Sequence, residues 1–312
     1  MTFLRGLLAW WGMDHPTIRQ LEYFVALAER LSFRKAADAC HVSQPSLSAQ
    51  IAQMEASFGV KLFERDPRGV QLTGAGQALV PAAEEILAGC TRLGQLARSL
   101  GAPLTGPLRL GVIPTIGPYL LPKVLPALQA AYPELELFLR EEMTERLLEQ
   151  LEEGKLDLLL LAIDLELGNV ATLPLFSDPF VLAVSDQDEL ANTDVASISD
   201  LAGRTTLLLD EGHCLREQTL PLCEAVGGNE HGSFRASSLG TITQMVASGL
   251  GITLIPELAI EREAAAVPQL RTIPFGADGP SRSVGLAWRA NSPRTEEYQS
   301  LGATMAAAYA TS

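Results

Sequence analysis

Ile18, Leu21, Phe24, Val25, Leu27 and Ala28 recur at the three-and-four spacing of an amphipathic helix. Ser32 is placed to cap a second, short helix that turns Phe33, Ala36, Ala37 and Cys40 inward, and the paired alanines let another helix pack closely. His41 and Val42 make a tight turn. Ser43 then stands as N-cap of a third helix, Gln44 to Ser57, with Pro45 in its first turn, where a missing N–H costs nothing. Leu47, Ile51, Met54 and Phe58 form its inner face. From Lys61 to Thr73 two short alternating strands flank the turn Asp66-Pro67-Arg68-Gly69. Helix, turn, helix and hairpin in this order predict a winged helix-turn-helix over residues 13–75.

From Gly76 to about Leu100 the pattern is helical, broken only by Pro81 near its start. Leu79, Ala83, Ile86, Cys90, Leu93, Ala97 and Leu100 advance by alternating fours and threes, a heptad seam suited to pairing with another helix. At 1.5 Å per residue this linker, residues 76–101, spans roughly 35 to 40 Å. Cys90 falls on the seam as a small apolar filler. Gly101 to Pro107 reads as a hinge. Beyond it strands and helices alternate: strands at Leu108–Ile113, Leu135–Leu139 and Leu156–Ile163, helices at Tyr119–Tyr132 and Thr144–Glu153. That alternation predicts a mostly parallel sheet covered by helices. A second such unit follows, and the chain returns to the first near Val284–Trp288. The expected regulatory region is therefore 107–312, with one lobe at about 107–178 plus 275–312 and the other at about 179–274. α/β folds place ligands in clefts at their strand ends.

The 312 residues and a hydrophobic fraction of 47% describe globular material with a sizeable core. The net charge of −14 at first argues against a nucleic-acid partner. Its distribution weakens that objection, because residues 13–75 hold seven Lys or Arg against seven Asp or Glu. With Arg5 upstream, the rest carries 15 basic and 30 acidic residues, so the acidity lies where no phosphate need be touched. The four cysteines (Cys40, Cys90, Cys214, Cys223) form no disulfide framework and no C-x-x-C pair, so no metal or other cofactor is expected and a cytoplasmic setting fits. The first twelve residues lack the parts of a signal peptide and are too short to span a membrane; translation is expected to start at Met13, with no membrane partner.

Two stretches carry candidate chemistry. The outer face of the third helix offers Gln44, Ser46, Ser48, Gln50 and Gln53, short polar groups that can read base edges in a major groove. A merely solvated face is the plain alternative, but the second helix of a helix-turn-helix is the one that reads DNA. Arg34, Lys35, Lys61 and Arg65 would reach phosphates, and Arg68 at the hairpin tip a minor groove. The other stretch is Glu211-Gly-His-Cys-Leu-Arg-Glu-Gln-Thr-Leu-Pro-Leu-Cys223. His213 and Arg216 beside Cys214 would favour the thiolate. A helix between Cys214 and Cys223 would hold them about 13 Å apart, and a disulfide needs Cα atoms within about 7 Å. Joining them would remodel the segment. The alternative is two unrelated cysteines.

The segments Phe24, Phe33-Arg-Lys-Ala-Ala, Val42-Ser-Gln-Pro-Ser-Leu-Ser, Ile51, Glu55, Gly59-Val, Leu62-Phe-Glu-Arg and Leu72-Thr-x-Ala-Gly resemble the signature of the LysR-type transcriptional regulators. The resemblance implies that Ser43, Gln44, Pro45, Ser46 and Ser48 face DNA and that Arg34, Lys35 and Arg65 contact its backbone. It also implies a two-lobed α/β regulatory domain like the periplasmic binding proteins, and dimers through the linker helix that assemble into tetramers. Gly111-Val-Ile-Pro-Thr-Ile-Gly-Pro-Tyr-Leu-Leu-Pro, Gly154-Lys-Leu-Asp, Gly212-His-Cys-Leu-Arg-x-Gln, Phe234-Arg-Ala-Ser-Ser-Leu and Gly249-x-Gly-Ile-Thr-Leu-Ile-Pro are similar to the peroxide-sensing members of that family over roughly residues 13–300. This implies Cys214 as the thiol oxidised by peroxide, Cys223 as the resolving thiol that closes a disulfide, and Thr115, Thr144 and His213 around the peroxide. It further implies control of antioxidant genes, promoter DNA and RNA polymerase as partners, and a thiol reductant such as glutaredoxin or thioredoxin. Ser233 departs from the His common before the Phe-Arg-Ala segment, with His231 two residues earlier.

Two other readings compete. A LysR-type regulator with inert cysteines would answer to a small organic effector in the cleft. A thiol peroxidase using Cys214 would have no need of a helix-turn-helix, so no enzyme is expected.

Overall fold

The computed structural model describes residues 15–66, 69–99, 103–232, 234–265 and 267–312. The expectations resting on the first twelve residues, on Arg68 and on Ser233 lie outside these. The chain forms two compact units that divide between Gly94 and Gln95.

In the first unit, α1 (Ile18–Arg30), α2 (Phe33–Ala39) and α3 (Gln44–Phe58) begin at three side-chain caps. Thr17 and Gln20 form a reciprocal capping box on α1, Ser32 accepts from the Lys35 amide, and Ser43 accepts from the Ser46 amide. Phe24, Leu27, Ala36, Leu47 and Met54 are fully buried between the helices. Ile18, expected inside, is exposed; it sits at the edge of the arc centred on Leu21 and Phe24. Cys40 and Phe58, expected to face inward, pack against this core while remaining half-buried. The hairpin β1 (Phe63–Asp66) and β2 (Gly69–Leu72) follows, with Phe63 opposite Leu72. Phe63 packs edge-on against Phe24 and Phe33, which ties the hairpin to the helices. Next comes α4 (Gly74–Ser99), a 26-residue helix containing Pro81.

The second unit is built on a seven-stranded sheet. Its strands are β3 (Gly106–Val112), β4 (Leu135–Glu141), β5 (Leu158–Ala162), β6 (Val170–Ser185), then β9 (Thr253–Pro256), β10 (Leu270–Pro274) and β11 (Ser281–Arg289). A small parallel pair, β7 (Thr205–Thr206) and β8 (Asn229–Glu230), stands apart. The helices are α5 (Gly117–Ala131), α6 (Thr144–Glu152), α7 (Cys214–Glu224), α8 (Leu239–Ala247), α9 (Glu257–Glu263) and α10 (Thr295–Ala310). The order in the sheet is β10-β6-β11-β5-β3-β4, with β9 also on β6.

The sheet is mixed, whereas alternation in the sequence predicted a mostly parallel one. β3 is parallel to β4 and β5, but β11 runs antiparallel to β5 and β6, and β9 and β10 run antiparallel to β6. The cause is β6, whose 16 residues serve both halves of the unit. Its first part, to Pro179, pairs with β11, and its second part, from Phe180, with β9 and β10. β11 brings the chain back alongside β6, and an antiparallel return needs no crossover helix. One apolar cluster gathers on β3 and β5, including Leu108, Leu110 and Leu158 to Leu161. A separate one holds Leu182, Val184, Leu201, Ile252, Leu254 and Ile273. Gly111 permits the first: a Cβ there would lie 2.7 Å from Leu147 and Leu156. None of the described helices is long and apolar enough to cross a membrane.

Candidate DNA-reading face and thiol site

On the first unit Arg34, Lys35, Gln44, Pro45 and Ser46 are exposed, and Ser48 is half-buried, so one helix start presents a polar face beside two cations. Two expected contacts have other tasks. Ser43 spends its hydroxyl capping α3. Lys61 holds the Glu55 carboxylate at 2.6 Å. That carboxylate also accepts from the Leu62 and Phe63 amides, bracing the entry to the hairpin. Burial raises the Glu55 carboxyl, but Lys61 and the two amides outweigh it and hold the group below its usual range. The Arg65 backbone pairs with Val70.

On the second unit Cys214 opens α7 and Cys223 lies in its last turn, both buried. A helix does join them, so the nine-residue separation is about 13 Å. α7 is weakly made. His213, its N-cap, provides no side-chain cap, and Pro221 interrupts the interior. A proline there removes one backbone hydrogen bond and crowds the preceding turn, at a cost of about 3 kcal/mol.

Around Cys214 the polar groups converge. Burial is the largest influence and raises the thiol above its ordinary value of 9.0. Opposing it are the guanidinium of Arg282 and the hydroxyls of Thr144 and Thr115. Arg282 is itself sealed in: it donates to Asp178 at 2.9 Å, to the Thr115 hydroxyl at 2.9 Å and to the Thr115 carbonyl at 2.8 Å. With its oxygen accepting from Arg282, the Thr115 hydroxyl has its proton left to give to sulfur. The Thr144 hydroxyl is buried with the Cys214 sulfur as its neighbour, and His213 Nε2 is buried without a hydrogen-bond partner. Burial depresses the His213 imidazole below 6.5, with Asp210 opposing, so it stands neutral at pH 7.

Of the residues singled out in the sequence, Thr115 and Thr144 act on Cys214, while His213 precedes it in the chain and shares the lining of a cleft with Thr115. Arg216 does not act on the thiol. Its guanidinium grips Glu230 with two bonds, at 2.7 and 2.9 Å, and fastens α7 to β8. The cation acting on the thiol is Arg282. Sequence reasoning passed over Arg282 and Asp178 because they lie 104 positions apart; register makes them partners across β11 and β6. The available signal was an arginine just ahead of the apolar run Val284–Trp288.

A cleft of about 430 Å³ borders this site, with Thr115 and His213 in its wall and Cys214 buried behind them. Thr115, His213 and Met143, the residue before Thr144, line it together with Tyr119, Glu141, Glu142, Arg262 and Glu263. No cluster of His, Cys, Asp and Glu able to hold a metal ion occurs among the described residues.

Residues 18–77 match the bacterial regulatory helix-turn-helix protein, lysR family, and residues 101–310 match the LysR substrate binding domain. This chain belongs to the LysR family. The DNA-binding transcriptional dual regulator OxyR of Escherichia coli K12 is 45% identical over 286 residues, 91% of this chain and 93% of that protein. Full-length OxyR of Pseudomonas aeruginosa with a cysteine-to-aspartate substitution superposes with a TM-score of 0.73 at 35% identity, covering 94% of this chain and 95% of that one. An H2O2-bound cysteine-to-serine mutant of Corynebacterium glutamicum OxyR gives 0.66 at 36% identity, covering 96% and 94%. Within the LysR family the chain thus lies close to OxyR.

Proposed function

We propose that this LysR-type regulator senses hydrogen peroxide through Cys214 and transmits the oxidation to promoter DNA. The observation that carries the reading is the setting of Cys214: the Thr115 and Thr144 hydroxyls and the Arg282 guanidinium act on its sulfur, and His213, the residue before it, has its Nε2 buried without a partner. Such an orphan nitrogen costs free energy unless something small and polar meets it. Peroxide can donate and accept at both oxygens, so it can meet His213 Nε2 and add to the bonds that the Thr115 and Thr144 hydroxyls already make. The Cys214 thiolate attacks one peroxide oxygen and forms the sulfenic acid, and the O–O bond breaks to release hydroxide. The Cys223 sulfur then attacks the sulfenic sulfur, the S–O bond breaks, and one water leaves as the disulfide closes. Each event consumes the thiol pair, so this is a switch and not a catalyst.

Cys214–Cys223 closure requires α7 to unwind, since its ends are too far apart for a disulfide. The proposed division of labour assigns residues 13–75 to DNA and 76–101 to subunit pairing. Residues 107–312 sense, in lobes of about 107–178 plus 275–312 and about 179–274. The exposed Ile86, Cys90 and Leu93 on α4 support homodimers through that helix, and tetramers of them. RNA polymerase at the promoter and a cytoplasmic thiol reductant, glutaredoxin or thioredoxin, complete the cycle. Peptide mapping after one equivalent of peroxide, with free thiols alkylated, tests the reading. A Cys214–Cys223 disulfide ahead of any other oxidation is expected; if both cysteines remain alkylatable, the reading fails.

A further inference from the structure

The cleft in front of Cys214 is unevenly charged. Glu141, Glu142 and Glu263 face it, and among the described residues Arg262 is the one Lys or Arg in its lining. Arg262 Nη1 donates to the Pro118 carbonyl, and Glu263 Oε1 accepts from the Tyr119 hydroxyl at 2.7 Å. Neither contact removes a carboxylate's charge. His213 in the wall is only 4% exposed and stands neutral, its Nε2 unpartnered. Arg282 behind the wall is fully buried and balanced by Asp178. Arg146, on the outer side of α6, is bound to Glu149. A molecule approaching the thiol through this cleft therefore crosses a lining of net negative charge with low-dielectric walls, where field lines are focused.

We propose that Glu141, Glu142 and Glu263 act as a charge filter that admits neutral hydrogen peroxide to Cys214 and repels anionic oxidants. The inference rests on the reading of Cys214 as the peroxide-reactive thiol. Both classes of oxidant react in the same way once they arrive. With hydrogen peroxide the thiolate takes one oxygen as the sulfenic acid and hydroxide leaves. With peroxymonosulfate it takes the terminal hydroxyl oxygen and sulfate leaves. Sulfate is the better leaving group, so peroxymonosulfate is intrinsically the faster oxidant, and discrimination against it has to act on the path to the sulfur.

The test measures the initial rate of Cys214 loss in the full chain with hydrogen peroxide and with peroxymonosulfate, in a salt inert to both. Between ionic strengths of about 0.01 M and about 1 M the screening length falls from about 30 Å to about 3 Å. Over that range the peroxymonosulfate rate is expected to rise about tenfold and the peroxide rate to change less than about twofold. E141Q/E142Q/E263Q should raise the peroxymonosulfate rate at low salt by a similar factor and leave the peroxide rate unchanged. The amide that E263Q introduces keeps an acceptor for the Tyr119 hydroxyl, and the unchanged peroxide rate reports an intact site. E134Q/E136Q/E166Q removes as many exposed carboxylates away from the cleft. If this control accelerates peroxymonosulfate equally, or if salt leaves that rate flat in the unaltered protein, the filter is overturned. If hydrogen peroxide fails to oxidise Cys214 in every variant, the underlying reading of the thiol is what has failed.

Discussion

The two ends of α7 place the same side chain in opposite settings. Cys214 joins the large core on β3 and β5, yet its sulfur meets two hydroxyls and a buried guanidinium. Cys223 belongs to the other apolar cluster, among Leu182, Leu201, Ile252 and Leu254. Burial dominates there too and raises its thiol, and the Thr206 hydroxyl is what opposes it. One cysteine is furnished for reaction and the other for packing. The difference implies that oxidation of Cys214 is a local event, while resolution pulls Cys223 out of a core and dissolves the helix between them.

Substitutions can break this comparison at several points. Cys214→Ser should abolish the peroxide response outright, read as promoter transcription, and leave basal operator binding intact. Arg282→Met should destabilise the second unit by about 3 to 5 kcal/mol in denaturant titration, because Asp178 is left buried without its partner. Pro221→Ala should stabilise α7 by up to about 3 kcal/mol and so delay closure. The sulfenic acid on Cys214, trapped with a carbon nucleophile, would then persist longer than in the unaltered protein.

Two pH effects are smaller. Because burial raises Cys214, the thiolate fraction and hence the oxidation rate should climb from pH 7 past pH 9, about tenfold per unit. His213 is depressed below 6.5, so the folded state binds its proton less readily than the unfolded chain. Its contribution to stability is present above pH 6.5 and lost as pH falls through the depressed value. His213→Asn should flatten that acid slope in melting temperature. Cys223→Ala should cost the least, about 1 kcal/mol for a small cavity.

The helix-turn-helix was legible because its signals are local: Ser32 and Ser43 sit next to the amides they cap, and Pro45 sits in a first turn. Cys214, Thr115, Thr144 and His213 were named through motif resemblance; the structure sets the two threonine hydroxyls on the Cys214 sulfur and His213 in the cleft lining. Adjacency in sequence misled at Arg216, two residues from Cys214 but turned to Glu230 on β8. Arg282 stayed hidden because its place at the thiol depends on β6–β11 register, which no local pattern encodes. Strand direction was misjudged for the same reason: alternation reveals elements, and the long β6 decides how they pair.

Hydrogen–deuterium exchange of the peptide spanning Cys214–Glu224, before and after one equivalent of peroxide, tests the coupling of chemistry to helix most directly. The account predicts protected amides in the reduced protein and a loss of protection that tracks disulfide formation. A disulfide that forms while the amides of α7 keep their protection would contradict it.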